Sequence, residues 1–195
     1  MQWQANLAEG GGALGAIGSH FLDSMRWWIG DIAEVSATLA TIRPERQDPS
    51  GKVVMADGED SFVINLRFAN GALGSFAYTA ASPVMQGART VIEGTDGVLV
   101  LPQAGVNPTS AEVVHGAKAG GEIAPIPRPA EFDPLPESTD RRIPAFRRLV
   151  RDFQRGVREG RSLTPHFDDG VAVQAVLDAV RESSRTGRSV KVNSG

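Results

Sequence analysis

The chain has 195 residues, enough for one domain with a sizeable core, and 41% of them are hydrophobic, as in ordinary globular proteins. A formal net charge of −3 gives no field that would attract nucleic acid or anionic lipid, and no apolar run reaches the roughly 18 residues that span a bilayer. Cysteine is absent, which excludes disulfides, thiolate nucleophiles and cysteine-ligated metals and suits a reducing cytoplasm.

Residues 1–30 predict a chain without a secretory leader that begins with a helix. The start, Met1-Gln2-Trp3-Gln4, lacks the basic stretch and apolar core of a signal peptide, so we expect a cytoplasmic protein. Gly30 predicts the end of the helix. Apolar residues recur before it at three- and four-residue steps, the helical period: Leu14, Ile17, Phe21, Leu22, Met25 and Trp28.

Strands are predicted next. Apolar and polar residues alternate over 32–42, as in a half-buried strand, and a polar loop is expected from Arg43 to Gly58. Two further strand-like runs, 61–68 and 72–80, are separated by Asn70-Gly71, a dipeptide that favours a tight hairpin turn. Similar patterns predict a hairpin of 89–93 with 98–101 and a weaker one of 112–115 with 122–126.

The C-terminal third is predicted to contain a surface connection, two helices and a short last strand over 189–192. Five prolines between Pro125 and Pro136 exclude a helix or a central strand there. We expect Asp168 or Asp169 to cap the second helix and Gly187 to end it. The apolar stripes of the two helices are Ile143, Phe146, Leu149, Val150, Phe153 and Val157, and then Val173, Val176, Leu177 and Val180.

Hairpin-linked strands with helices at both ends of the chain predict an α+β fold: one domain over 1–195 with a predominantly antiparallel, or mixed, sheet carrying helices on one face. The opposite face is not purely polar, because residues such as Val63 and Ala69 alternate with Phe62 and Phe68. We therefore expect the open face to pack against the sheet of another subunit, in a homodimer or tetramer.

The first helix also carries the densest group of chemistry-bearing residues. Its glycines, Gly11, Gly15 and Gly18, would let the backbone approach a ligand or, equally, sit close on the sheet. Asp23 is placed to contact a ligand or to pair with His20 or Arg26 at helical spacing. A lone helical histidine such as His20 is also compatible with a purely structural, hydrogen-bonded role.

These residues carry a family resemblance. The pattern Gly10-Gly11-Gly12-x-Leu14-x-x-x-Gly18-x-His20-x-x-Asp23 resembles the start of the C-terminal domain of the glucose-fructose oxidoreductase, inositol dehydrogenase and MocA (Gfo/Idh/MocA) family. Later segments match the family in the same order: Asn70-Gly71-Ala72, Val91-Ile92-Glu93-Gly94-Thr95-Asp96-Gly97 and Thr164-Pro165-His166-Phe167-x-Asp169-Gly170.

The resemblance implies one half of a two-domain enzyme that oxidises a sugar, polyol or similar alcohol with NAD or NADP. The N-terminal Rossmann domain, with its glycine-rich fingerprint and a lysine at the reacting centre, is absent from this sequence. We therefore expect a substrate-binding and oligomerisation domain that is inactive alone and holds no cofactor by itself. The same cofactor also serves elimination or glycoside cleavage in some relatives, and the sequence does not separate these reactions from oxidation.

Within this resemblance, His20 is the expected catalytic residue, because an imidazole suits removal of the hydroxyl proton while hydride leaves carbon. Ser19, His20 and Asp23 are the expected substrate contacts, and Gly18 is an expected cofactor contact. The family aspartate four residues before the histidine is Ala16 here. This departure favours an alternative, a non-catalytic binding or assembly module.

Three other groups are not assigned to a functional site. The arginines between 141 and 158 alternate with an apolar stripe, so we expect a solvated helix face and no nucleic-acid surface: Arg141, Arg142, Arg147, Arg148, Arg151, Arg155 and Arg158. His166 lies beside two aspartates, but helix capping accounts for them and no second ligand cluster accompanies them, so no metal is expected. His115 has no evident partner.

Overall fold

The computed structural model describes residues 3–84, 87–103, 113–129 and 143–193. The chain divides into two compact units: the first unit is Met1–Pro83 with Thr164–Gly195, and the second unit is Val84–Leu163. In chain order, a π-helical turn (Leu14–Gly18) is followed by α1 (Ser19–Ile29), β1 (Ile32–Ala40), β2 (Glu45–Gln47), β3 (Val53–Met55), β4 (Ser61–Phe68), β5 (Leu73–Thr79), β6 (Ala88–Gly94), β7 (Gly97–Gln103), β8 (His115–Lys118), β9 (Ala124–Pro125), α2 (Ile143–Glu159), α3 (Phe167–Thr186) and β10 (Val190–Lys191).

The first unit is built on an antiparallel sheet with the strand order β10-β1-β4-β5. At its centre, Ala37 of β1 lies opposite Ile64 of β4, which lies opposite Phe76 of β5. The predicted Asn70-Gly71 turn joins β4 to β5, with Gly71 at φ +90° and its N–H donating to the carbonyl of Phe68 at 3.0 Å. The predicted α+β fold with an antiparallel sheet is confirmed.

Helices α1 and α3 pack on one face of this sheet and close the core of the first unit. The residues of β4 alternate between this core and the open face, as the sequence predicts for a half-buried strand. The side chains that the sheet and the helices bury together are Leu14, Leu22, Ile32, Val35, Phe62, Ile64, Leu66, Phe68, Val173, Val176, Leu177, Ala179 and Val180.

Two serines of α3 complete the hydrogen bonding of β1. The short strand β10 pairs only with Glu34 and Val35 of β1. Beyond it, the N–H groups of Ala37 and Leu39 donate to the hydroxyls of Ser183 and Ser184, each at 2.9 Å. Side chains of the covering helix therefore replace a neighbouring strand and leave these two partly buried donors satisfied.

The structure corrects two expectations in the first unit. The predicted loop from Arg43 to Gly58 contains a small antiparallel hairpin, β2 with β3, in which Arg46 lies opposite Val54. Helix α3 begins at Phe167, because His166 is its N-cap and the Asp169 carboxylate accepts the His166 backbone N–H at 2.8 Å. Asp169 thus works as the third residue of a capping box and not as the cap itself.

The second unit contains an antiparallel sheet with the strand order β6-β7-β8-β9, and helix α2. The predicted hairpin of 89–93 with 98–101 is present as β6 and β7, and the weaker third hairpin is reduced to His115 opposite Pro125 and Gly116 opposite Ala124. The predictions that fall on residue 112, on the prolines after 129, and on Arg141 and Arg142 lie outside the described residues.

Candidate functional site

The approach to α1 depends on Gly12. This residue has φ +104°, which favours glycine, and its N–H donates to the carbonyl of Gln4 at 3.0 Å. A Cβ on Gly12 would overlap the carboxylate of Glu59, which lies against the backbone here. Backbone conformation and the space available therefore both require glycine at position 12. The chain contacts Glu59 where it enters the helix.

The first turn of the helix is π-helical and lies directly before the candidate site. Leu14–Gly18 form this turn, and the N–H of Ser19 donates to the carbonyl of Leu14, five residues back. The Ser19 hydroxyl donates to the carbonyl of Gly15 at 2.7 Å. Single π turns inside helices occur frequently at functional sites, because they change which side chains share a face.

His20 and Gly18 lie on opposite faces of this helix. Two residues turn an α-helix by about 200°. Gly18 is buried, and a Cβ on it would lie 3.5 Å from Cζ of Phe62 in the core. His20 is exposed, and within the described residues its ring takes part in no hydrogen bond or ion pair. The imidazole is therefore presented outward on the helix face away from the sheet.

Asp23 lies one turn beyond His20 and faces an arginine. Its carboxylate is 3.8 Å from Nη1 of Arg26, and its side chain is 49% exposed. Arg26 makes shorter contacts elsewhere, with Asp31 at 2.7 Å and with the carbonyl of Asp169 at 3.3 Å. Asp23 therefore has a weakly held, half-exposed carboxylate next to the imidazole turn, while Arg26 fastens α1 to the start of α3.

The sequence analysis missed a set of carboxylates in the segment before β4. Asp57 accepts the N–H of Leu7 at 2.8 Å, and Glu59 accepts the N–H of Leu14 at 2.9 Å. The only sequence signal was three acidic residues among four, Asp57-Gly58-Glu59-Asp60, immediately before a strand. Nothing in that pattern names the backbone groups that these carboxylates reach.

Asp60, the third of these carboxylates, is buried and well satisfied. It accepts the backbone N–H groups of Ile42 and Arg43, each at 2.9 Å, and the Ser61 hydroxyl at 2.9 Å. Burial raises the pKa of Asp60, but these hydrogen bonds and the Arg46 guanidinium outweigh it, so the pKa lies below its usual range. Asp60 is therefore a charged brace between β1 and β4.

The remaining candidate groups have structural partners. Nδ1 of His166 lies 3.6 Å from Asp168 and 3.7 Å from Asp169, within the capping region of α3. Nδ1 of His115 lies 3.0 Å from the carbonyl of Val113. Across the described ranges, no three potential metal ligands come together. None of the helices in those ranges has the length and apolarity that a bilayer crossing requires.

Comparisons with known proteins agree with the α+β fold of the chain. The family model described as "Oxidoreductase family, C-terminal alpha/beta domain" (GFO_IDH_MocA_C) matches residues 1–192. The chain is 29% identical over 215 residues to levoglucosan dehydrogenase of Pseudarthrobacter phenanthrenivorans, covering 94% of this chain and 52% of that protein. It is 27% identical over 197 residues to an uncharacterized oxidoreductase of Synechocystis sp., covering 97% of this chain and 52% of that protein.

A solved structure shows the same architecture. Levoglucosan dehydrogenase in complex with NADH and L-sorbose superposes with a TM-score of 0.84 at 25% identity, covering 100% of this chain and 54% of that one. The chain thus spans about half the length of the curated relatives it matches.

Proposed function

Because the chain belongs to the Gfo/Idh/MocA oxidoreductase family, whose C-terminal domain it matches, we propose that it is the substrate-binding and oligomerisation domain of an NAD(P)-dependent oxidoreductase acting on a sugar or similar alcohol. The relatives named as levoglucosan dehydrogenase, one of them in complex with NADH and L-sorbose, support this substrate class. The observation that carries the proposal is the exposed His20 imidazole at the end of a glycine-rich π turn.

In this proposal, His20 takes the proton of the substrate hydroxyl at a ring nitrogen. An imidazole titrates near neutral pH, and an exposed ring without a protein partner in the described residues has both nitrogens available to substrate. A bound nicotinamide would supply acceptance of the hydride. This chain would bind and orient the alcohol and hold its proton.

Ser19 and Asp23 are the proposed substrate contacts beside His20. The Ser19 hydroxyl donates its hydrogen bond to the Gly15 carbonyl, so its lone pairs are suited to accept a hydrogen bond from a sugar hydroxyl. The Asp23 carboxylate is half-exposed, and its ion pair with Arg26 is long, at 3.8 Å. Its oxygen atoms are therefore available to hydroxyl donors. Together they would fix which hydroxyl faces the imidazole.

The cofactor would be held mainly by a nucleotide-binding domain outside this chain. The described residues contain no strand, glycine-rich turn and helix arranged as a Rossmann fingerprint. A cofactor contact at Gly18 stays a prediction, and the packing of Gly18 on Phe62 supports the other use of this glycine, close approach to the sheet. A cytoplasmic location also stays a prediction.

The open face of the first unit's sheet is the proposed oligomerisation surface. It presents short side chains in cross-strand rows, among them Thr38, Val63 and Ala77. Val63 is 52% exposed and Leu73 is 74% exposed, so the face offers apolar area to a second copy. Changing Val63→Glu is expected to lower the mass measured by light scattering to that of a monomer. A wild-type chain that is already monomeric would contradict the proposal.

Ala16 favours a second candidate, a binding or assembly module without catalysis. Alanine has no group to orient the imidazole, and no described carboxylate holds the His20 ring. The two candidates differ in whether sugar reaches His20. The module predicts sheet-mediated assembly with no response of His20 to sugars.

Nuclear magnetic resonance of histidine-labelled chain separates these candidates. The chain has three histidines, so His20→Gln identifies the His20 ring signals and His115→Gln is the matched control. Titration with levoglucosan or L-sorbose is expected to shift the His20 signals and leave His115 unmoved. An unchanged His20 at the solubility limit of both sugars would contradict the proposal, as would NAD-dependent oxidation of either sugar by this chain alone.

A further inference from the structure

The segment before β4 holds the N-terminal region of the chain through side-chain and backbone contacts. The Asp57 carboxylate holds the N–H of Leu7, and the carbonyl of Ala5 accepts the N–H groups of Asp57 and Gly58 at 3.0 and 3.1 Å. Glu59 reaches further along the chain, to the start of the helix that carries His20. Only Glu59 among these carboxylates touches that helix.

Glu59 accepts two independent hydrogen bonds from the start of the helix. Its carboxylate Oε1 accepts the N–H of Leu14 at 2.9 Å, and its backbone carbonyl accepts the N–H of Ala13 at 2.7 Å. The residue is 8% exposed, and the carboxylate lies directly against Gly12. The first N–H groups of a helix have no partner within the helix, so the two acceptor oxygens of Glu59 satisfy two of them and fix this end in place.

Leu14 connects Glu59 to the candidate site. Its N–H is held by Glu59, and its carbonyl accepts the N–H of Ser19 across the π turn. Its side chain is 0% exposed and lies beside Gly18 in the core. One residue therefore links the buried carboxylate to the backbone immediately before His20.

Resting on the proposed role of His20, we propose that Glu59 is a positioning residue, which keeps the turn before His20 π-helical and thereby sets where the imidazole points. A π turn holds one residue more than an α turn, and one residue is about 100° around an α-helix. Loss of the anchor at Leu14 lets the turn tighten to α geometry, and the residues before and after it then rotate relative to one another. The sugar contacts at Ser19 and His20 move with that rotation.

The test uses variants that separate the effect of the length of the Glu59 side chain from the effect of its charge. Glu59→Gln keeps an oxygen acceptor at the same reach without the charge, whereas Glu59→Asp keeps the charge on a side chain one carbon shorter. Glu59→Ala removes both. Asp57→Ala is the matched control, because it removes a carboxylate cap of the same segment, at 2.8 Å from Leu7, without touching Leu14.

The readouts are backbone contacts across residues 14–19 and the His20 ring signals, measured by nuclear magnetic resonance where each variant is folded. Glu59→Gln and Asp57→Ala are expected to keep the wild-type pattern. Glu59→Asp and Glu59→Ala are expected to lose the Leu14–Ser19 contact, shift the His20 signals and weaken levoglucosan binding about tenfold, the equivalent of one buried hydrogen bond.

The outcomes discriminate the inference from the proposed function. If Glu59→Asp and Glu59→Ala fold with the wild-type turn and His20 signals, or if both fail to fold where Asp57→Ala folds, Glu59 is only a structural cap and the inference is wrong. If the turn and the His20 signals change as expected but the wild-type chain binds no sugar, the positioning effect stands and the proposed function fails.

Discussion

The first unit closes a core between its sheet and two helices, whereas the second unit shows its large apolar side chains to solvent. Ile64 of β4 is 0% exposed, but Leu99 of β7 is 40% exposed and Phe153 of α2 is 72% exposed. Within the described ranges, every buried hydrophobic residue belongs to the first unit. Both sheets have regular antiparallel strand pairing. Strand pairing alone therefore does not produce a buried core in this sequence.

The difference follows from what each unit places against its sheet. In the first unit, α3 crosses β1 and brings Val176 and Val180, 1% and 0% exposed, onto the alternating apolar face. In the second unit, α2 has an apolar stripe of equal regularity, but its members are 41% exposed or more from Phe146 to Val157. We therefore expect the first unit to supply the stability on which the candidate site depends.

The largest expected effect comes from cutting the same amount of apolar side chain in the two sheets. Ile64→Ala is expected to lower the free energy of unfolding by about 2–5 kcal/mol, because it leaves a cavity in the core. Leu99→Ala is expected to cost less than about 1 kcal/mol, because its side chain is already 40% exposed. Urea unfolding measures the Ile64→Ala loss by tryptophan fluorescence and the Leu99→Ala loss by circular dichroism.

Fluorescence is selective here because the chain's three tryptophans and its one tyrosine all lie in the first unit. Circular dichroism reports the strands of both units. Coincident fluorescence and dichroism transitions, with equal losses for Ile64→Ala and Leu99→Ala, would contradict the contrast between the units.

Local chemistry made most of this fold predictable. The Asn70-Gly71 turn fixes its hairpin within a few residues, and the helical stripes of α2 and α3 are read directly from spacing. The β2–β3 hairpin escaped prediction because its residues, such as Glu45 and Gln47, carry no apolar alternation. The start of α3 escaped prediction because histidine is an uncommon cap, so Asp168 and Asp169 were the better candidates.

The candidate site was predictable only in part, for a physical reason. His20, Ser19 and Asp23 share one short helix, so their neighbourhood follows from helical spacing. The π turn was not predictable, because its hydrogen bonds depend on an anchor from elsewhere. Glu59 meets Leu14 across 45 residues of sequence, and no local pattern records such a contact.

The second prediction concerns the polar fastening of the first unit. Ser183, 1% exposed, accepts the N–H of Ala37 at 2.9 Å and donates to the carbonyl of Arg188 at 2.6 Å. Ser183→Ala deletes a buried hydroxyl together with both of its hydrogen bonds, so we expect a loss of about 1–3 kcal/mol in the free energy of unfolding. Urea unfolding by fluorescence is again the measurement.

Ser184→Ala is the matched control for this loss. Ser184 bonds the N–H of Leu39 at the same distance of 2.9 Å but is only partly buried, so water can replace its hydroxyl. A Ser184→Ala loss as large as that of Ser183→Ala would show that burial does not set the strength of this fastening.

The smallest expected effect is a dependence of the first unit's stability on acid pH through Asp60. Its pKa in the folded chain is lowered, so between the folded and unfolded pKa values the unfolded chain binds more protons and stability rises with pH. The contribution is complete above the unfolded pKa of about 3.9 and is lost as pH falls through the folded pKa. Asp60→Asn removes the titrating group while keeping its size, so the fluorescence-detected unfolding free energy should fall less steeply below about pH 4 than in the wild type. If the unfolding free energy of the two proteins falls with the same slope below about pH 4, the charge of Asp60 adds nothing to stability. The hydrogen bonds to a side chain of this shape would then suffice to hold β1 against β4.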